Sequence, residues 1–431
     1  MPFFMNLQVH HCFKDSSGVV TDSRKLSPDC LFIALRGEIF DGNHFAEMAI
    51  ENGAKYALVD QPEIAKRNTR MILVEDTLKT LQQLAQYHRK TLKAKIIGLT
   101  GSNGKTTTRE LIKSVLSQKY NTQASKGNFN NHIGVPLTLL DFDENTEIGI
   151  VEMGANHQKE IDFLCQLAQP DVGLITNFGE AHLEGFGGLD GVIKGKSELH
   201  NYLSQTSGTI ILNIDDPIQK KWKLYSPNFT FGEDKEADCH LEYLKRKSKS
   251  LAIRTEDKTI ESKLYGEYNY TNIATAVALG RYFKLTFEQI KLGVSTYKPS
   301  NNRSQIIRKG SNKIILDAYN ANPTSMWASI NSFENNRKKR GVVILGDMFE
   351  LGKFTEEAHQ KILNQLISTA INDILLLGAC FFKTKSQDSR VRLFKSDKEI
   401  IGYLIDNPVS ESDILIKGSR VMAMEKLLKY L

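Results

Sequence analysis

The sequence predicts an α/β protein built in three successive segments, and three observations lead there. Near-continuous apolar runs (KIIGLT, IGIVEM, VGLIT, TIILN) alternate with helical patterns, as in a parallel sheet covered on both faces. A glycine-rich turn, GLTGSNGKTTT at 98–108, joins the first of these runs to the helix-like TTTRELIKSVLSQKY. Finally, 431 residues exceed what one core usually organises, so two or three domains are expected.

In residues 1–92 the runs CLFIAL, YALVD and MILVE read as short strands separated by turns. Leu78, Leu81, Leu84, Ala85 and His88 then recur at helical spacing in LKTLQQLAQYHRKTL, an amphipathic helix leading out of the segment. Residues 93–298 carry the four apolar runs and the glycine-rich turn. The polar stretch KPSNNRS, 298–304, marks the next boundary. In residues 299–431 the alternation resumes with NKIILDAY, a helix from Ser325, GVVILGDM, a helix around 355–368, DILLLG and DILIKGS.

Composition narrows the class. Hydrophobic content of 41% and charge of 25% are those of a globular soluble protein. The net charge of +6 comes from 56 basic and 50 acidic residues without a dense Lys/Arg block, so small anionic substrates are expected and nucleic acid is not. Cys12, Cys30, Cys165, Cys239 and Cys380 are scattered and contain no CxxC, which indicates neither a disulfide framework nor a zinc knuckle. MPFFMNLQVHH lacks the basic start of a signal peptide, and no apolar run approaches the roughly 20 residues of a membrane helix. The expectation is a cytoplasmic protein without membrane insertion, and a monomer.

The turn TGSNGKT carries chemistry. Backbone N–H groups of Gly101, Ser102, Asn103 and Gly104, with the helix N-terminus at Lys105, Thr106 and Thr107, would form a concave anion site. Lys105 would reach the β- and γ-phosphates of ATP, and the Thr106 hydroxyl would hold Mg²⁺. The pattern is not the strict G-x-x-x-x-G-K-[ST], because Leu99 stands five places before Gly104. A carboxylate at a neighbouring strand end completes such a site, and IGIVEMGANH supplies Glu152 there. His182 follows the run VGLIT by a short turn, at the same carboxyl edge, and a neutral imidazole can ligate a metal.

Taken in order, TGSNGKTTT, GNFNNHIGVPLTLL, VEMGANH, NFGEAHLEGFGGLDGVIKGKSE, DAYNANPTSM, LGDMFELG and ILIKGSR resemble the Mur ligases of peptidoglycan synthesis. The resemblance runs from about Thr21 to the C-terminus. EMGANH, AHLEGFG and YNANPTSM match most narrowly the branch that joins D-alanyl-D-alanine to UDP-N-acetylmuramoyl-tripeptide. It implies an N-terminal UDP-binding domain (1–92), a central ATPase domain (93–298) and a Rossmann-like C-terminal domain (299–431) that admits the amine.

The resemblance also assigns residues. Thr21, Ser23, Arg24 and Asn43 in TDSRKLSPDCLFIALRGEIFDGNHF, with Asn128, Asn130 and Asn131, would lie near the UDP substrate. Lys196 would be carbamylated and would join Glu152 and His182 as a hard oxygen ligand for a second Mg²⁺. Asn269 and Asn272 match an adenine-contacting G-x-H-N-x-x-N helix start, with Tyr268 where His is common. Arg303 matches a linker arginine that reaches the γ-phosphate, with Asn302 in place of the usual Gly. Asp317, Tyr319, Asn320 and Asn322 would close over the nucleotide. Two competing readings stand beside this one: another amide ligase of the superfamily (a sister Mur ligase or folylpolyglutamate synthase), and a non-catalytic nucleotide-binding module. YNANPTSM and EMGANH favour the D-alanyl-D-alanine branch. An intact Lys105, Thr106, Glu152, His182 and Lys196 favours a working enzyme.

Overall fold

The computed structural model of the protein describes residues 7–225, 227–244, 251–299 and 303–431; MPFFMN and Asn302 lie outside them. Its strands form four sheets. The first is parallel and runs in chain order: β1 (Val19–Val20), β2 (Leu31–Ile33), β3 (Tyr56–Val59) and β4 (Met71–Leu73). The second has seven strands: β5 (Lys95–Thr100), β6 (Thr122–Ala124), β7 (Ile148–Glu152), β8 (Val172–Ile175), β9 (Thr209–Asn213), β10 (Asn228–Gly232) and β11 (Cys239–His240). Their order is β11-β10-β9-β8-β5-β7-β6. β7 and β8 are buried along their whole length, which is why their sequences read as unbroken apolar runs rather than alternating ones.

β12 (Glu242–Leu244), β13 (Leu251–Thr255) and β14 (Lys258–Ser262) make a small antiparallel sheet. The last sheet holds β15 (Gln305–Lys309), β16 (Asn312–Asp317), β17 (Arg340–Gly346), β18 (Asp373–Leu377), β19 (Val391–Phe394) and β20 (Ser412–Lys417) in the order β15-β16-β20-β17-β18-β19. Only its β15–β16 pairing is antiparallel. Ile314, Leu316, Val342, Ile344, Ile414 and Ile416 alternate along three of these strands into one core with Phe394, Met424 and Leu427. The mixed α/β class with several parallel sheets is the one expected.

The helix expected from Ser325 starts two residues earlier, at Pro323. Asn322 caps it by accepting from the Ser325 N–H at 2.9 Å, and Pro323 occupies the first-turn position where a missing N–H costs nothing.

By packing, the described chain forms two compact units. One comprises the residues up to Leu99 with Tyr120–Gly154 and Ile161–Gly173. Here the expected amphipathic helix spans Thr77–Thr91, is capped by Asp76, and buries Leu81, Leu84, Ala85 and His88. Arg89 at its end donates to the Ala168 carbonyl at 3.0 Å and to Asp171 at 2.9 Å, and His88 Nε2 meets the Phe142 carbonyl at 2.8 Å. The other unit comprises Thr100–Lys119, Ala155–Glu160 and Leu174–Leu431. In it the helix Lys105–Leu116 packs on the helices Tyr270–Tyr282 and Phe287–Thr296. All five cysteines are free, and no helix of the described residues is long and apolar enough to cross a membrane.

Candidate active site

β5 delivers the chain into the glycine-rich turn, and both flanking glycines are obligatory. Gly101 has φ 141°, and a Cβ there would fall 2.0 Å from Thr176 Oγ1. Gly104 has φ 80°, caps the helix Lys105–Leu116 from the left-handed region, and would bring a Cβ within 2.5 Å of Asn272 Oδ1. The turn is held from the residues just after β8. The Ser102 N–H donates to the Asn177 carbonyl (3.0 Å) and the Asn103 N–H to Asn177 Oδ1 (3.0 Å). The Thr176 hydroxyl and Asn177 Nδ2 both donate to the Asn103 carbonyl, at 2.6 and 3.0 Å. Ser102 Oγ donates to the Gly179 carbonyl at 2.9 Å.

With the loop fixed in this way, the N–H groups at its helix N-terminus have the arrangement an anion site needs. Lys105 Nζ curls over it, donating to the carbonyls of Gly101 (2.6 Å) and Ser102 (3.2 Å). Thr106 is buried in the first helical turn, and Thr107 is half-buried beside it. Sequence reasoning missed Thr176 and Asn177; the Thr-Asn pair directly after an apolar strand was the available signal.

Lys196 is the most unusual group of this region. It lies on the helix Leu189–Thr206, is fully buried, and its Nζ donates to the Ala155 carbonyl at 3.1 Å, 4.9 Å from the centre of the Phe186 ring. Burial drives its pKa well below the ordinary lysine value, repulsion from Lys105 adds to this, and Glu160 and Glu198 oppose it. Both burial and Lys105 disfavour the charged ammonium form of this amine. His182, in the left-handed region at φ 54°, caps the short helix Leu183–Phe186. Its Nδ1 is in contact with the carboxylate of Glu350.

In the other unit, Glu152 closes β7 and is buried; it pairs with Leu99 across the sheet. Its carboxylate accepts from Asn130 Nδ2 at 2.9 Å, and its N–H donates to Ser125 Oγ at 3.0 Å. Asn128 and Asn131 share that loop, and Asn131 Oδ1 caps the helix Gly134–Asp141 through the Gly134 N–H at 2.9 Å. Thr21, Ser23 and Arg24 lie together in one turn, where Arg24 binds Asp22 through two N–H groups at 2.8 and 2.9 Å. Asn43 is buried, and its amide is engaged by Asp41 and Asp60 within the same unit, so it shapes that loop from inside.

Asn269 and Asn272 form a hydrogen-bonded chain. Thr108 Oγ1 donates to Asn272 Oδ1 (3.0 Å), Asn272 Nδ2 to Asn269 Oδ1 (2.8 Å), and Asn269 Nδ2 to the Tyr265 carbonyl (2.7 Å). These amides tie two helices together behind the phosphate loop. Tyr268 points its hydroxyl at Ser304 Oγ, 2.8 Å away, and burial raises its pKa. The Arg303 guanidinium stacks 3.6 Å above the Tyr319 ring. Asp317 is bound by Lys417 Nζ (2.6 Å) and Ser329 Oγ (3.0 Å). Burial would raise its pKa, yet Lys417 and these hydrogen bonds bring it below the usual carboxylate value. Asn320 Oδ1 accepts from the Ala321 N–H at 2.9 Å, and Asn322 Nδ2 donates to Asn103 Oδ1 at 2.7 Å. The DAYNANP segment thus touches the phosphate loop directly.

The chain is similar to known proteins along nearly its whole length. The Mur ligase family, catalytic domain, matches residues 15–89; the Mur ligase middle domain matches 99–280; the Mur ligase, glutamate ligase domain, matches 302–420. The chain is 38% identical over 430 residues to the UDP-N-acetylmuramoyl-tripeptide–D-alanyl-D-alanine ligase of Bacillus subtilis (strain 168), covering 96% of this chain and 92% of that one. Among solved structures it resembles MurF from Acinetobacter baumannii (TM-score 0.84, 30% identity, 99% and 98% of the two chains). It also resembles MurF ligase from Thermotoga maritima in complex with ADP (TM-score 0.84, 26% identity, 97% of each chain). The family models and these relatives agree: the chain belongs to the Mur ligase family, in the group of the UDP-N-acetylmuramoyl-tripeptide–D-alanyl-D-alanine ligases.

Proposed function

We infer that the protein joins D-alanyl-D-alanine to UDP-N-acetylmuramoyl-tripeptide, using ATP to activate the tripeptide carboxylate as an acyl phosphate. The observation that carries the chemistry is the preorganised phosphate loop with Lys105 over its helix N-terminus. A carboxylate is a poor acyl donor because oxide is a poor leaving group. Once the γ-phosphoryl is transferred to it, the carbon–oxygen bond breaks with phosphate as leaving group, and the free amine of the dipeptide forms the amide. Lys105 and the loop N–H groups stabilise the charge that builds on the transferring phosphoryl.

Thr106, Glu152, His182 and Lys196 are the proposed Mg²⁺ ligands, and when bound the cation would neutralise phosphate charge. The donor set suits a hard cation once Lys196 is changed, because an amine is a poor partner for Mg²⁺ and a carbamate oxygen a good one. A buried amine whose charged form is disfavoured fits that change: its uncharged nitrogen would add to carbon dioxide, forming an N–C bond and releasing one proton. Arg303, Asp317, Asn320, Asn269 and Asn272 are proposed to serve the nucleotide. Thr21, Ser23, Arg24, Asn43, Asn128, Asn130 and Asn131 are proposed to serve the UDP substrate. Of these, Asn43, Asn269 and Asn272 act by shaping the backbone, since their amides are engaged inside the protein. The three sequence segments 1–92, 93–298 and 299–431 are proposed as the UDP-binding, ATP-binding and amine-admitting domains of a cytoplasmic monomer.

The test is turnover against a panel of UDP-muramoyl peptides. Amide formation only with the tripeptide, Mg·ATP and D-alanyl-D-alanine together, with one ADP per bond, is the expected result. ATP hydrolysis at full rate without the tripeptide would remove the reading.

A further inference from the structure

We propose that Glu350, in the loop after β17, is a positioning residue for His182: it holds the imidazole by its Nδ1 edge and reserves Nε2 for a ligand. Side-chain and backbone features of the described residues support this. The Glu350 carboxylate lies against His182 Nδ1. An ionised carboxylate can only accept, so the ring nitrogen facing it carries the hydrogen, and in the neutral imidazole the lone pair then lies on Nε2.

The contact is also built into the backbone. The Glu350 carbonyl accepts from the Glu184 N–H at 3.2 Å, two residues beyond His182, so side chain and main chain grip the same turn. Both partners sit in the left-handed region, His182 at φ 54° and Glu350 at φ 63°, which non-glycine residues rarely adopt and which surrounding structure must hold in place. Gly352 then takes φ 52° where a Cβ would lie 3.0 Å from Glu184 Cγ, keeping the two loops in close approach. A second tie between the same sequence regions runs from the Glu180 N–H to Thr324 Oγ1 at 3.0 Å.

A histidine that binds a metal through one nitrogen is commonly oriented by a carboxylate on the other. Here that carboxylate comes from the segment assigned to admitting the amine, so the orientation of His182 depends on that segment being docked. The proposal rests on the ligase reading for the purpose of His182, but the contact is tested without substrate or metal.

The experiment is ¹⁵N NMR of the substrate-free protein, full chain, labelled at histidine, with His182→Gln to assign the ring. The wild type should show a protonated Nδ1 and an unprotonated Nε2. Glu350→Ala should lose that pattern, and kcat should fall about 10–100-fold, the usual cost of removing such a partner. The KM values for ATP, tripeptide and dipeptide should hold. Glu350→Gln still offers an oxygen to Nδ1 and should restore the ring pattern and most of kcat. A Glu350→Ala protein with the wild-type ring pattern, or with wild-type kcat, would overturn the proposal. So would one whose three KM values all rise as its thermal midpoint falls. A wild-type protein that forms no amide would overturn the ligase reading instead.

Discussion

Two regions of this molecule offer clustered titratable side chains, and they differ in what their atoms are doing. In the first, Lys105 rests on carbonyls of its own loop, His182 uses one ring nitrogen on Glu350, and Lys196 is buried with a single carbonyl at hydrogen-bond distance from Nζ. In the second, Asp347, His359 and Cys380 place their ligand-type atoms within 4.8 Å of one another, a spacing that could suit a metal. Yet His359 donates from Nδ1 to the Thr355 carbonyl (2.7 Å) and accepts at Nε2 from the Met348 N–H (3.1 Å). Asp347 accepts from the N–H groups of Cys380 (2.8 Å) and Phe381 (2.9 Å). Both ring nitrogens of His359 and both carboxylate oxygens of Asp347 are engaged by backbone, and burial disfavours the charged form of His359. Proximity alone does not make a site; a site keeps binding capacity in reserve, whereas a brace has used it.

The largest effect expected from that difference is at Lys105. Lys105→Ala should lower kcat by at least about 100-fold, roughly 3 kcal/mol of transition-state stabilisation, with little change in thermal midpoint. Steady-state kinetics beside a melting curve would check it, and near-normal turnover would equate the two clusters. Lys196→Ala should likewise lose activity, and short carboxylates such as acetate should partly restore it by supplying the missing oxygen ligand. Asp347→Ala should do the converse. It strands two buried N–H groups and should cost about 2–4 kcal/mol of stability, while kcat of the remaining folded protein holds and added zinc leaves the melting curve unmoved.

The smallest effect is a pH slope at His200, one helical turn beyond Lys196 on the same helix. It is fully buried, packed edge-on against Trp222, and burial lowers its pKa to about 3. A lowered folded-state value means that the unfolded chain takes up the proton first. Stability should therefore be lost as pH falls below about 6.5, amounting to about 2 kcal/mol by pH 5. Denaturation midpoints of wild type and His200→Phe, followed from pH 7 to 5, should diverge by this slope. Parallel curves would show that water reaches the ring.

How much of this was legible in the sequence follows from range. Buried parallel strands such as β5, β7, β17 and β20 stood out because both faces are apolar. β1 has two residues, and β13 and β14 are joined through Glu256 and Asp257, both at positive φ where glycine or asparagine would have marked the turn. Nothing local announced them. The phosphate loop was legible because its glycines, lysine and threonine are contiguous. Glu350 was not, since it acquires its role only by meeting residues distant in the chain. Nor could the sequence reveal that Asn43, Asn269 and Asn272 would have their amides occupied.

The central claim is that ATP is spent on making an acyl phosphate, and oxygen transfer tests it most directly. The reacting carboxylate of UDP-N-acetylmuramoyl-tripeptide is labelled with ¹⁸O and the reaction run with Mg·ATP and D-alanyl-D-alanine. Phosphate leaves the activated carbon carrying one carboxylate oxygen, so one ¹⁸O should appear in each inorganic phosphate for each amide formed. Phosphate free of label, with amide accumulating at the same rate, would contradict the account.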